Sequence, residues 1–165
     1  MNGRILVAGI GNIFLGDDGF GVEVVNRLAT RKLPDCVRVV DFGIRSYDLA
    51  YALMEAWDLV ILVDALPGGG KPGTIYTVEP DLPERSAQGV FEIDAHMMNP
   101  ESVLRMASAL GGKLSRTLVV GCEPATVEFD EESGFGLSEA VRAAVDEAVR
   151  VVEEIVYQNM RATAA

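Results

Sequence analysis

The run Leu59-Val60-Ile61-Leu62-Val63 is the most apolar stretch of the chain and carries no polar residue on either of its alternating sides. A strand of this kind must be covered on both faces, the condition of a central strand in a parallel sheet packed between helices. Arg4 to Ala8, closed by Gly9, and Leu118-Val119-Val120-Gly121-Cys122 read the same way. Between these runs the apolar period changes to that of a helix. Val22, Val25, Leu28 and Ala29 recur at helical spacing before Pro34, and Val37 to Phe42 then starts a second strand. Tyr47 to Ala56 makes a second helix, a third starts at Pro100, and a long one over 137–157 carries Val141, Val145, Val149, Val152 and Val156 on one face. Thr74-Ile75-Tyr76-Thr77-Val78 follows the third strand with no helix between them, so it is expected to be an antiparallel edge strand. The alternation predicts an α/β fold: a three-layer α/β/α sandwich with a mostly parallel, twisted sheet of about five strands.

A chain of 165 residues, 49% of them hydrophobic, suffices for one domain with a full core. We therefore expect a single domain over 1–165, with 159–165 a frayed tail. A formal charge of -11 argues against sequence-independent binding to nucleic acid or to an anionic membrane, which needs clustered lysine and arginine. The apolar run Ile5 to Ile10 is too short for a signal-peptide core or a membrane span and is interrupted by Gly9, so a cytoplasmic location is expected. Cys36 and Cys122 are far apart and form no C-x-x-C pair, so both are expected to be buried thiols rather than a disulfide or zinc framework.

In a sheet of this class, sites form beyond the carboxyl ends of the strands. Three segments place chemistry there. Asp17-Asp18 sit in the glycine-rich loop after the first strand, Asp64 ends the third, and the only histidine, His96, lies in a loop before Pro100, with Glu123 after the last strand at the same edge. Gly9-Ile10-Gly11-Asn12 fails as a dinucleotide fingerprint because Phe14 stands where its third glycine would be. Gly11 and Gly16 fail as a phosphate loop because Asp17 and Asp18 replace its lysine and hydroxyl residue. Asp41-Phe42-Gly43 reads as an end-of-strand turn rather than a kinase magnesium motif. No G-x-S-x-G elbow supports a serine triad, no local signature supports Cys122 with His96, and the context of Asp18 and Asp64 is not that of the pepsin type. One imidazole with two carboxylates suits zinc, nickel or another borderline divalent ion, with a position left open for water or substrate.

The segment Gly9-Ile10-Gly11-Asn12-Ile13-Phe14-Leu15-Gly16-Asp17-Asp18-Gly19-Phe20-Gly21 resembles the opening motif of the hydrogenase maturation proteases. Further matches follow in the same order: Val40-Asp41-Phe42-Gly43, Asp64-Ala65, Pro72-Gly73-Thr74, His96, Gly121-Cys122-Glu123-Pro124 and Gly136-Leu137-Ser138. The resemblance implies an aspartyl-type endopeptidase that cuts a C-terminal peptide from the [NiFe]-hydrogenase large-subunit precursor after nickel insertion. By position it assigns Asp18, Asp64 and His96 as metal-contacting and catalytic residues, and Asn12 and Asp41 as substrate contacts. It further implies nickel supplied by the substrate, no resident cofactor, and the precursor as partner. A monomer is expected, because a large protein must reach the sheet edge. Phe42 departs from the family pattern, which often has D-G-G after strand two. Asp94, two residues before His96, stands where the family commonly has serine, and is expected to be solvated.

Asp18, at a helix N-terminus, is expected to stay ionised. The segment 80–99 is the candidate docking loop. Two other functions use the same residues: a non-catalytic nickel-checking chaperone, and a metal-dependent peptidase acting on other substrates.

Overall fold

The computed structural model describes residues 3–83, 98–125 and 136–164. Its elements are β1 (Ile5–Ile10), a 3-10 turn (Gly16–Gly19), α1 (Phe20–Leu28), β2 (Val37–Gly43), α2 (Ser46–Leu53), β3 (Leu59–Ala65), β4 (Ile75–Val78), α3 (Pro100–Ala109), β5 (Thr117–Cys122) and α4 (Glu139–Ala164). The strands form one sheet in the order β2-β1-β3-β5-β4. All pairs are parallel except β4 with β5, which is antiparallel, as the missing crossover helix requires.

The strictly apolar strands are those with helices on both sides. Leu59, Ile61 and Val63 join Ile5, Val7, Leu118 and Val120 in a core sealed by α1 and α4. Val60 and Leu62 alternate to the other side, where Leu6, Ala8, Ile10 and Val119 meet α2 and α3. The mostly parallel sandwich thus follows from the two-sided apolarity of β1, β3 and β5, while the outer strands β2 and β4 are only partly covered.

Helix α1 crosses the sheet at unusually short range. A side-chain carbon at Gly21 would lie 2.0 Å from the Val63 carbonyl oxygen and 2.3 Å from that of Ile10. Glycine at this position lets the helix start directly above the carboxyl ends of β1 and β3. That is the place where the connections of β1 and β3 diverge to opposite sides of the sheet, the crevice in which α/β proteins form their sites.

Several boundaries differ from those expected. Strand β1 continues through Gly9 to Ile10, and β3 runs one residue past Asp64, because β5 pairs with Asp64 and Ala65 through Gly121 and Cys122. Helix α2 ends at Leu53 rather than near Ala56, and the Trp57 indole N–H donates to the carbonyl of Ala52 at 2.7 Å, closing that end. The tail expected to fray from 159 onward is instead helical through Ala164: Met160 packs on the core and the Thr163 hydroxyl donates to the Asn159 carbonyl. Cys122 is buried as expected, but Cys36, in the turn before β2, is only partly buried. Most of the segment proposed for docking, residues 84–97, lies outside the described residues.

Candidate active site

The loop after β1 is a built structure rather than a flexible one. Asn12 accepts from Leu15 N–H on its carbonyl and from Phe14 N–H on its side-chain oxygen, and Asp18 N–H then donates to the Leu15 carbonyl. These successive turns lead into the 3-10 turn and α1. Gly11 makes the entry possible: its φ is +140°, and a side-chain carbon there would meet the Asp18 carbonyl oxygen at 1.8 Å.

The two adjacent aspartates of this loop have different surroundings. Asp17 is fully buried and accepts from Ala125 N–H at 2.8 Å, Ser138 N–H at 2.7 Å and the Ser138 hydroxyl at 2.9 Å. It therefore ties the β1–α1 connection to both the exit of β5 and the entry of α4. This role was missed in the sequence, where Asp17 and Asp18 read as one acidic pair. The Gly136-Leu137-Ser138 match was the available signal, since a buried carboxylate requires donors of this kind.

Asp18 is partly buried and accepts from the Asn12 N–H at 2.8 Å. Loss of hydration raises its pKa, and that hydrogen bond opposes the rise.

Asp64, 3% exposed, is the most unusual group of the site. One oxygen, Oδ1, is buried without a hydrogen-bond partner among the described residues. Its pKa is raised well above the ordinary 3.8, first by burial and then by the negative charge of Asp18, against a lowering contribution from the Ala65 N–H. Buried polar atoms are almost always satisfied, so an orphaned carboxylate oxygen beside a second carboxylate marks a place prepared for a cation or for a shared proton.

The other carboxylates of this edge are accounted for. Glu123, buried after β5, accepts from Gly68 N–H at 2.6 Å and from the Tyr76 hydroxyl at 2.9 Å. The Gly68 N–H, together with the Tyr76 hydroxyl, holds its pKa below the usual carboxylate range, against the effect of burial. Glu123 thus fastens the loop that follows Asp64. Gly70 N–H donates to the same tyrosine oxygen, and the Glu123 backbone pairs with Gly73 and Thr74. Cys122 is fully buried, and burial first, with the charge of Asp17, pushes its thiol up to about 12, against a nucleophilic role.

Asp41 is partly buried at the end of β2, paired with Gly9. The chain turns there as expected of an end-of-strand turn: Arg45 N–H donates to the Phe42 carbonyl and Gly43 has a φ of +53°. Phe42, which replaces a family glycine, is buried in the α2–α3 side of the core. The loops after β1 and β2 are joined by the Gly11 N–H to Gly43 carbonyl bond at 3.0 Å. Asn12, Asp18 and Asp41 therefore lie on adjoining segments, with Asp64 electrostatically coupled to Asp18. His96 and Asp94 fall outside the described residues, and among those described no group of three histidine, cysteine or acidic side chains could hold a metal. No helix among the described residues is long and apolar enough to cross a membrane.

The family model of the hydrogenase maturation proteases matches residues 22–155. A hydrogenase expression/formation protein, HupD of Rhodobacter capsulatus, is 36% identical over 148 residues, covering 88% of this chain and 68% of its own. Among solved structures, the hydrogenase maturating endopeptidase HybD of Escherichia coli superposes with a TM-score of 0.72 at 27% identity, covering 94% of this chain and 93% of its own. The hydrogenase 2 maturation peptidase of a Thaumarchaeota archaeon gives 0.66 at 30% identity, over 93% and 97%. With most of its length matched in sequence and in fold, this chain belongs to the hydrogenase maturation protease family and is a peptidase.

Proposed function

We propose that the protein is the endopeptidase that removes the C-terminal extension of a [NiFe]-hydrogenase large-subunit precursor once nickel has been inserted, and that the substrate's own nickel is the recognition handle. The observation that carries this reading is the orphaned Oδ1 of Asp64 beside Asp18. Two carboxylates forced together in a poorly hydrated crevice repel each other, and a divalent cation delivered from outside turns that repulsion into attraction. Oxygen ligands together with one imidazole suit nickel among the borderline ions and leave a position for substrate or water.

His96 is the third ligand of this proposal. It precedes Met98, which packs on the α2–α3 side of the core, and alternation along β3 directs Asp64 to that same side after Val60 and Leu62. Asn12 holds Asp18 through its N–H and, with Asp41, contacts the incoming chain. A carboxylate oxygen of the pair takes the proton of the attacking water, the ordinary role of a general base. The protein acts in the cytoplasm as a monomer and needs no metal of its own. Membership of a protease family favours this reading over a non-catalytic chaperone.

His96→Ala tests the ligand set. The variant is expected to fold like the wild type, by circular dichroism, and to leave the precursor uncut. A folded His96→Ala enzyme that still processes the precursor would remove histidine from the site.

A further inference from the structure

Ile13, Phe14 and Leu15 are three consecutive exposed apolar residues, with Phe14 63% exposed. Such a run on a soluble surface is unfavourable unless something covers it. It is also rigidly displayed, on the turns that separate Asn12 from Asp18. The adjoining loop carries more of the same: Ile44 is 62% exposed directly after Gly43, and Tyr47 and Tyr51 are exposed one turn apart on α2. Of the nine large hydrophobic residues exposed among the described residues, these two segments hold six, so the exposure is clustered at the site rather than scattered.

The charges within this cluster have one sign in excess. Asp18, Asp41 and Asp48 belong to it, and its one cation, Arg45, is already engaged by Asp48 at 3.3 Å and by the carbonyl of Asp41. The chain as a whole carries -11. A partner seated here must present apolar side chains and positive charge.

We infer that Phe14 and Ile44, with Tyr47, form the surface that binds the polypeptide segment of the precursor around the scissile bond, an extended segment of apolar and basic character. The inference rests on the proposed function and adds to it the part of the enzyme that recognises chain rather than metal. Apolar contact supplies the affinity, and the acidic surroundings supply orientation and a dependence on ionic strength.

The test is the steady-state kinetics of cleavage of the nickel-loaded large-subunit precursor by wild type, Phe14→Ser, Ile44→Ser and, as a control on distant α4, Tyr157→Ser. The exposed substitutions are expected to leave the fold unchanged. Phe14→Ser and Ile44→Ser should each raise KM about tenfold, the scale of a truncated interface anchor, with kcat held, while Tyr157→Ser behaves as wild type. Added salt should raise the wild-type KM. An unchanged KM in folded Phe14→Ser and Ile44→Ser would overturn the inference, as would a fall in kcat alone.

If wild type does not cut the precursor, the proposed function has failed, and calorimetric binding of the same precursor decides the surface separately. Binding weakened about tenfold by Phe14→Ser would support it. Equal binding by variant and wild type, or none by either, would overturn it.

Discussion

Replacing Asp64 by asparagine is expected to abolish precursor processing while leaving the fold at least as stable as the wild type. The carboxylate is buried, one oxygen has no partner among the described residues, and Asp18 places a second negative charge against it. In the absence of a cation these features cost stability, and the amide removes the charge with little change of shape. The loss of activity should be roughly a thousandfold or more, as when a general base or charge-stabilising group is removed. The pH dependence follows from the raised pKa. Below the ordinary 3.8 both folded and unfolded Asp64 are protonated and the wild type carries no penalty. As pH rises above that value the unfolded chain ionises first, and wild-type stability from this group is lost until the higher folded pKa is passed. Urea unfolding of the two proteins from pH 3 to 8 should therefore show the asparagine variant gaining on the wild type as pH rises. A variant that unfolds much more readily, or that still processes the precursor, would show Asp64 to be a structural carboxylate.

Asp17→Ala should act in the opposite way, on stability first. Among the described residues it leaves three donors, Ala125 N–H, Ser138 N–H and the Ser138 hydroxyl, without their acceptor. Each stranded donor costs on the order of 1–3 kcal/mol, so the variant should lose about 3 kcal/mol or more. For a chain of this size that is a fall in Tm of about 6–12 °C. Because the bonds connect the Asp18 turn to the ends of β5 and α4, processing should fall as well. Ser138→Ala keeps the backbone donors and should cost about 1 kcal/mol. A loss below 1 kcal/mol for Asp17→Ala, in denaturant unfolding with an unchanged m-value, would contradict the assigned role.

The contrast between these neighbours shows what could be read from the chain. The two-sided apolarity of β1, β3 and β5 requires helices on both faces, and the absence of a crossover after β3 predicts the antiparallel edge strand; both are present. That Asp18 and Asp64 face the same edge follows from strand ends and loop order, and the structure couples them. What the sequence conceals is which carboxylate turns inward. In a 3-10 turn neighbouring side chains point about 120° apart, and Asp17 finds its donors more than a hundred positions away. No local pattern encodes such a partner. The helical tail was misjudged for a related reason, since the packing of Met160 is a tertiary contact that propensity at a chain end does not report. The sequence places Phe14 in the glycine-rich loop after the first strand, but the exposure of Ile13, Phe14 and Leu15 together is legible only in the structure.

The central claim is that cleavage waits for nickel held by the substrate. Its most direct test is the intact mass of the large-subunit precursor, nickel-loaded and nickel-free, after incubation with this protein. The account predicts loss of a C-terminal peptide from the nickel-loaded precursor alone. Equal cleavage of both forms, or cleavage of neither, would contradict it.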